Sequence, residues 1–526
     1  MIRSRLLVAA TAVAVASTTW AAGPGQAVTG KGVGGPSVTS DRGPAAWDRV
    51  APGTTASRTS AVQDVTWGRC SSVWLRRARA QCGFVTVPLD HADPSGETLQ
   101  IAVSRVRHTT RRSQGVMLIN PGGPGAPGLE FAILGLVMPR GSGASYDWIG
   151  FDPRGVGESK PALSCQPNYF HADRPPYVPA NQAELQTWLA RTESYADACA
   201  KHGDLLDHMK TTDAAKDMDA IRQALGASRI NYYGYSYGSY LGQVYATLFP
   251  SRVRRMVLDS NVDPTKVWYE SGEAQTIALE RVMNRFFRWI ARHHKTYRLG
   301  RNADAVKRLY LRQRQVLRRQ PAAGVLGPSE WDDALGVAGY GQAAWPVLAQ
   351  GMARWVHRQK PRLLIRVWRL IDTPGDDNTY AAFNAVVCTD APTPDEDTVI
   401  ADARRLHRVA PVVTWPSTWF SAPCLYWPAE PGTPVDVDGE GVGALLLGQT
   451  LDGPTPFRGS LAVRSAFPES RLVAIRGGNT HGTTPDIAGP CAGARIAAYL
   501  KAGALPPRRP GRRADVYCPA PPLPMP

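Results

Sequence analysis

Beyond its N-terminal segment, the 526-residue chain has no stretch approaching the ~18 uninterrupted apolar residues that a membrane-spanning helix needs. Its eight cysteines include no C-x-x-C pair, which argues against a zinc ribbon or a thioredoxin-like redox site. The net charge is +16, yet there is no zinc-finger spacing, no RNP-like aromatic motif and no compact lysine block. The basic residues are mostly Arg, scattered along the chain, so the charge does not point to nucleic acid. Histidine is scarce, at 10 residues, which leaves few candidates for a general base. What remains is ordinary for a globular protein: 43% hydrophobic and 20% charged residues.

Residues 1–27 read as a secretory signal. Arg3 and Arg5 precede an apolar run from Leu6 to Ala16, followed by small residues. Residues 28–65 are rich in Gly, Ser, Thr, Pro and Ala and poor in large apolar side chains. Such a segment cannot bury a core and is expected to be a leader or pro-segment. An even cysteine count in an exported chain predicts four disulfides. Sequence does not decide their connectivity; pairing of neighbours is the simplest arrangement, joining Cys70 to Cys82, Cys165 to Cys199, Cys388 to Cys424 and Cys491 to Cys518.

The strongest local signal is Gly234-Tyr235-Ser236-Tyr237-Gly238, a G-x-S-x-G pentapeptide. A β-branched and aromatic run, Arg229 to Tyr233, precedes it. A helical run from Ser239 to Phe249 follows and stops at Pro250. Strand, sharp turn and helix are the context of a nucleophile elbow, so Ser236 is the candidate nucleophile. Gly115 to Asn120 reads as a buried strand that empties into Pro121-Gly122-Gly123-Pro124-Gly125-Ala126-Pro127-Gly128. A loop this rich in Gly and Pro exposes backbone N–H groups, which acyl transfer uses to stabilise an oxyanion. The N–H groups of Gly123 and Tyr237 are the expected donors.

Gly83 to Leu89 and Leu99 to Val106 read as antiparallel strands. Trp148 to Asp152 reads as another strand, followed by a turn that Asp152 and Arg154 would shape as an ion pair. A helix over 212–226, the elbow strand and helix, and a strand at Arg255 to Asp259 then alternate. That pattern predicts a mostly parallel sheet with helices on both faces. From 262 to 436 the alternation gives way to a Trp-rich, mainly helical stretch. Leu279, Val282, Phe286 and Trp289 make the apolar face of one helix, and Arg281, Arg285, Arg288 and Arg292 its solvated face. This reads as a cap inserted between two parts of a core, 66–261 and 437–526. Alternation resumes with a strand at Gly443 to Gly448, which leads to Asp452. Arg471 to Ile475 is expected to be the last strand, with His481 in the loop beyond it. Ser236, Asp452, His481 is the nucleophile–acid–base order of α/β-hydrolases. His481 would be the general base and Asp452 its orienting acid.

These stretches resemble the secreted actinobacterial tripeptidyl aminopeptidases, in the prolyl-aminopeptidase branch of serine peptidases. The likeness is carried by Cys82 to Asp90, Asn120 to Gly128, Gly150 to Ser159, Gly234 to Pro250, Cys424 to Pro428, Leu447 to Pro456 and the tail from Cys491 to Cys518. It covers residues 66–519. The resemblance implies an α/β-hydrolase fold, a Ser236–Asp452–His481 triad and an oxyanion loop at Gly122 to Gly125. It implies peptide substrates with free N-termini and no metal or organic cofactor. The chain departs from that pattern at Gly125-Ala126-Pro127-Gly128, where Gly-Gly-Ser-Gly is frequent, and at Asn479-Thr480-His481-Gly482, where an aromatic residue, Gly and His are commoner. A carboxylic-ester hydrolase on the same fold stays open, since triad chemistry does not select the substrate. So does a catalytically idle binding protein, against which the complete triad argues. Glu270, Glu273, Asp376, Asp377 and Asp390 are the cap acids from which an anchor for a substrate ammonium would come.

Overall fold

The computed structural model describes residues 64–483 and 489–526. The expected signal (1–27) and the expected leader up to residue 63 lie outside the described residues. Strands β1 (Gly68–Arg69), β2 (Gln81–Pro88) and β3 (Thr98–Val106) are antiparallel neighbours. Strands β4 (Val116–Asn120), β5 (Asp147–Phe151), β6 (Ile230–Tyr235), β7 (Val253–Asp259), β8 (Ala444–Gln449), β9 (Arg471–Arg476) and β10 (Val516–Pro519) are parallel to one another. The order across the sheet is β1-β2-β3-β5-β4-β6-β7-β8-β9-β10.

The central strands are buried on both faces, which is why β6 and β8 are apolar or aromatic with almost no polar alternation. Successive residues still turn to opposite sides. Leu258, Leu446, Leu472 and Ala474 share one core with the helices Thr211–Ala224 and Tyr237–Leu248. Val257, Leu445, Leu447, Val473 and Ile475 share another with the helix Gly489–Ala502. The sheet is therefore covered on both sides, as its composition requires.

One expectation needs correction. Arg471 to Ile475 is not the last strand, because Val516 to Pro519 pairs in register with Val473 to Arg476. A four-residue strand ending in Pro is too short to show a period. It is pinned instead by the disulfide from Cys518 to Cys491 on the adjoining helix. All four disulfides join neighbouring cysteines: Cys70–Cys82, Cys165–Cys199, Cys388–Cys424 and Cys491–Cys518. Among the described residues, no helix is long and apolar enough to cross a membrane.

Between β7 and β8 the chain is almost entirely helical, from Tyr269–Arg292 through Thr414–Ser421. These helices build a core of their own around Phe286, Trp289, Tyr310, Trp331, Trp345 and Trp368. Arg281, Arg288 and Arg292 are exposed, and Arg285 half-buried, on the opposite side of Tyr269–Arg292.

Candidate active site

Four successive strands of the sheet, β6, β7, β8 and β9, end at one edge with chemistry-bearing residues. Ser236 follows β6, Asp259 closes β7, Asp452 follows β8 and His481 follows β9. The turn at Ser236 is sharp: φ is +54° and ψ −125°, in a region that costs a non-glycine residue about 1–3 kcal/mol. The flanking glycines make it feasible. A Cβ on Gly234 would lie 2.2 Å from the Gly238 carbonyl oxygen, and one on Gly238 would lie 2.5 Å from the Asn120 carbonyl oxygen. Ser236 is half-buried while its neighbours on both sides are buried, so the turn presents the hydroxyl at the surface of the core.

The Gly122–Gly125 loop, the expected oxyanion loop, is docked on this turn. Asn120 Oδ1 accepts the Gly122 N–H at 2.9 Å, and a Cβ on Gly122 would lie 2.8 Å from that of Ser236 and 3.1 Å from the Tyr237 nitrogen. Tyr237 is the first residue of its helix, so its N–H has no intrahelical acceptor. Gly125 packs against the cap: a Cβ there would meet the Thr379 carbonyl at 2.4 Å. Asp152 secures the far end of the loop by accepting the Gly128 N–H at 2.7 Å and the Leu129 N–H at 3.1 Å. Burial pushes its carboxyl up to about 6. The expected pair with Arg154 does not form. Arg154 is buried and pairs with Asp217, at 2.7 Å and 2.8 Å, on the helix Thr211–Ala224. Both residues are structural, but each has a different partner.

His481 Nδ1 lies 3.0 Å and 3.2 Å from the two carboxylate oxygens of Asp452. Asp452 also accepts the Thr455 N–H at 3.1 Å, which holds its carboxylate in place. Three strand steps separate β9 from β6, roughly 14 Å at the strand ends. The His481 loop is drawn back across that gap. Gly482 N–H donates to Ser260 Oγ at 2.8 Å, and Thr483 N–H donates to Asp259 Oδ2 at 2.7 Å. Gln449 clasps the loop from β8, accepting from Thr480 N–H at 3.0 Å and donating to the Gly482 carbonyl at 2.9 Å. The cap takes the remaining donor: His481 N–H bonds to the Tyr340 carbonyl at 2.7 Å, and the Tyr340 ring meets the imidazole edge to face. A Cβ on Gly482 would come within 3.8 Å of Tyr235, the residue preceding the nucleophile.

Asp259, Ser260, Gln449 and Tyr340 escaped the sequence reading. Only Asp259 carried a usable signal, a carboxylate at the carboxyl end of a strand, like Asp452. It joins the elbow to the base loop, since its carbonyl accepts the Ser236 N–H at 3.0 Å while its side chain holds Thr483. It is fully buried, and burial pushes its carboxyl up to about 7.

Each of the five cap acids has a partner of its own. Glu270 is exposed beside Lys266, Glu273 pairs with Arg405, and Asp376 caps Asn378. Asp377 accepts from Cys165 N–H, Gln166 N–H and the Ser164 and Tyr195 hydroxyls. Asp390 binds the Thr211 N–H and hydroxyl and the Trp268 indole N–H, and that hydroxyl in turn meets Tyr237. A different cluster gathers three acids around a single base. One buried guanidinium, Arg174, faces Glu330, Asp333 and Asp372 at 3.2, 2.6 and 2.7 Å. Burial, and for Asp333 the charge of Asp372 beside it, push these two aspartates up. Among the described residues, no three His, Cys, Asp or Glu side chains converge to hold a metal ion.

Two family models match the chain: "alpha/beta hydrolase fold" over residues 115–360 and "TAP-like protein" over 410–518. A Streptomyces coelicolor protein named tripeptidyl aminopeptidase is 37% identical over 90% of this chain and 89% of its own. Serine protease Hip1 of Mycobacterium tuberculosis is 30% identical over 85% of this chain and 90% of its own. A carboxylesterase B of the same organism is 30% identical over 81% and 85%. With the Ser236 turn, the hydrogen-bonded His481–Asp452 pair and the strand order already in place, the chain belongs to the tripeptidyl aminopeptidase family of serine hydrolases on the α/β-hydrolase fold.

Proposed function

We propose that the protein is a secreted serine exopeptidase that cleaves peptide bonds near free N-termini through Ser236, His481 and Asp452. The observation that carries this reading is the His481–Asp452 pair, in a loop that the Gly482 and Thr483 N–H groups tie to Ser260 and Asp259 beside the strained Ser236 turn. His481 takes the Ser236 proton as the hydroxyl oxygen attacks the substrate carbonyl carbon. Asp452 orients the imidazole and stabilises its charged form. The Gly123 and Tyr237 N–H groups receive the oxyanion. His481 then protonates the leaving amine, and water, deprotonated by the same imidazole, releases the acyl group. Four disulfides and the signal-like N-terminus support export.

Recognition of the substrate ammonium is best supported at the Arg174 cluster. Three acids converge there on one guanidinium, and burial raises all three, so an entering cation would favour their charged forms. Arg174 lies 5.3 Å from the Phe170 ring, Phe170 packs on Tyr380 and Phe420, and the helix that carries Tyr380 approaches Gly125 through the Thr379 carbonyl and the Phe383 backbone nitrogen. The aromatic layer thus joins the cluster to the helix Asn378–Asp390, whose backbone meets the Gly122–Gly125 loop. Comparing a tripeptidyl anilide with its N-acetylated twin tests the reading. Acetylation removes the charge and leaves the scissile bond alone, so kcat/KM should fall at least tenfold, about 1.4 kcal/mol. Equal rates would end the exopeptidase reading. The likeness to a carboxylesterase favours one competitor, an ester hydrolase. Matched ester and amide substrates decide between them, and a preference for esters that survives acetylation would establish the second.

A further inference from the structure

The end of the sheet opposite Ser236 carries two clefts, and both are lined by cations. The first, about 580 Å³, lies among Arg464, Ser465, Arg508, Arg509, Pro510 and Arg512. It sits below the starts of β9 and β10, because Arg508 donates to the Ser470 carbonyl at 2.9 Å and the 508–512 segment leads directly into β10. The second, about 570 Å³, is lined by Thr110, Arg111, Arg112, Gln114, Ser145 and Lys501. It lies below the starts of β4 and β5, and Gln114 there is also bonded to Arg254 and Arg255 at the start of β7.

These cations are not neutralised locally. Among the described residues, Arg111, Arg112, Lys501, Arg509 and Arg512 are exposed and form no ion pair, and Arg508 bonds only to carbonyl oxygens. Near the first cleft two carboxylates, Asp515, which holds Arg464 at 2.7 Å, and Glu469, which accepts the Gly441 N–H, face the four cations Arg464, Arg508, Arg509 and Arg512. Burial and the neighbouring Arg464 keep Arg508 below its ordinary value, so an approaching anion would relieve its surroundings. Four strand steps separate β4 from β9, placing the clefts roughly 19 Å apart. A single phosphate can fill one cleft, whereas a linear chain of phosphates reaches both. None of the exposed large apolar side chains lies in the segments lining these clefts, so the face has nothing to insert into a bilayer.

We propose that this face is a docking site for a linear phosphate-bearing polyanion, which would hold the enzyme with its catalytic end pointing away from the polymer. The inference does not depend on the triad or on the substrate. The test is binding of the full chain to labelled long-chain polyphosphate, followed by fluorescence anisotropy over a range of salt. Binding should saturate and weaken steeply with salt, and inorganic phosphate should compete poorly. R508E/R509E/R512E and R111E/R112E/K501E should each weaken it at least tenfold, with turnover of a tripeptidyl anilide unchanged. R281E/R288E/R292E makes the same change in charge on the cap and should leave binding within twofold. Absence of saturable binding would overturn the proposal. So would equal losses in all three variants, or displacement by phosphatidylglycerol vesicles at lower phosphate concentration than polyphosphate itself.

Discussion

Ser236 holds a left-handed backbone that its own side chain does not favour, and the two ends of that turn are bonded to different parts of the molecule. Its N–H reaches the Asp259 carbonyl and its carbonyl accepts the Ser239 N–H at 2.8 Å. The strain is therefore maintained by surroundings that survive loss of the hydroxyl. Ser236→Ala should fold normally by circular dichroism and lose on the order of 10⁴-fold or more in kcat. Retention of a tenth of the activity would remove Ser236 from the mechanism. Asp259 ties that turn to the His481 loop. Below its raised pKa it is a neutral acid beside the His481–Asp452 pair, and as pH rises through about 7 it becomes a buried anion. Asp259→Asn keeps an oxygen for the Thr483 N–H and never ionises. It should stay within threefold of wild type in kcat/KM at pH 6 and depart from it above pH 7. Asp259→Ala, which drops the bond, should lose at least tenfold at both. A pH–rate profile of the three proteins separates charge from positioning, and superimposable profiles for wild type and Asp259→Asn would dismiss the charge.

At the scale of the element, the parallel strands and the elbow helix were legible because each is a long uniform signal: an apolar run closed by Gly or Pro. Ser236, Asp452 and His481 were legible because each sits at a strand end in a loop whose Gly content advertises it. Strand β10 was not, since four residues show no period and its place depends on a cross-link. The Arg154–Asp217 pair and the Arg174 cluster were also silent, because their members come from segments 63 and up to 198 residues apart and only folding brings them together. The Cys491–Cys518 bridge closes a 27-residue interval around the helix Gly489–Ala502 and β10. In the chain-entropy model such a loop contributes roughly 3–4 kcal/mol. The double variant Cys491→Ser, Cys518→Ser should lose about that much in denaturant titration. A change below about 1 kcal/mol would show that β10 is held by its sheet pairing alone.

For the molecule as a whole, buried aspartates set the pH dependence of stability. Burial raises Asp152, Asp332 and Asp390 to about 6 and Asp259 to about 7. A raised carboxyl favours the folded state while it is protonated there, so that contribution is fully present below about pH 4 and is lost as pH climbs through 6 to 7. Asp217 and Asp219 go the other way: both are buried, but Arg154 holds the first below its ordinary value, and Arg222 with Arg252 hold the second at about 2. Their contribution is present above about pH 4 and is lost toward pH 2. The two trends cross in mildly acidic solution. The melting temperature should peak near about pH 4 at constant ionic strength and decline on either side. A maximum at pH 7 or above in a scanning-fluorimetry series would contradict this account.

The bond from His481 N–H to the Tyr340 carbonyl has a consequence for anyone who would rebuild the protein. His481 is anchored by a strand end on one side and by the turn at Tyr340 in the inserted helical segment on the other, so the insertion is not a detachable cover. A core trimmed of its helices would leave the base loop one tether short. A chimera that borrowed those helices from a relative would have to import the turn at Tyr340 and the loop at His481 together, as a single transplant.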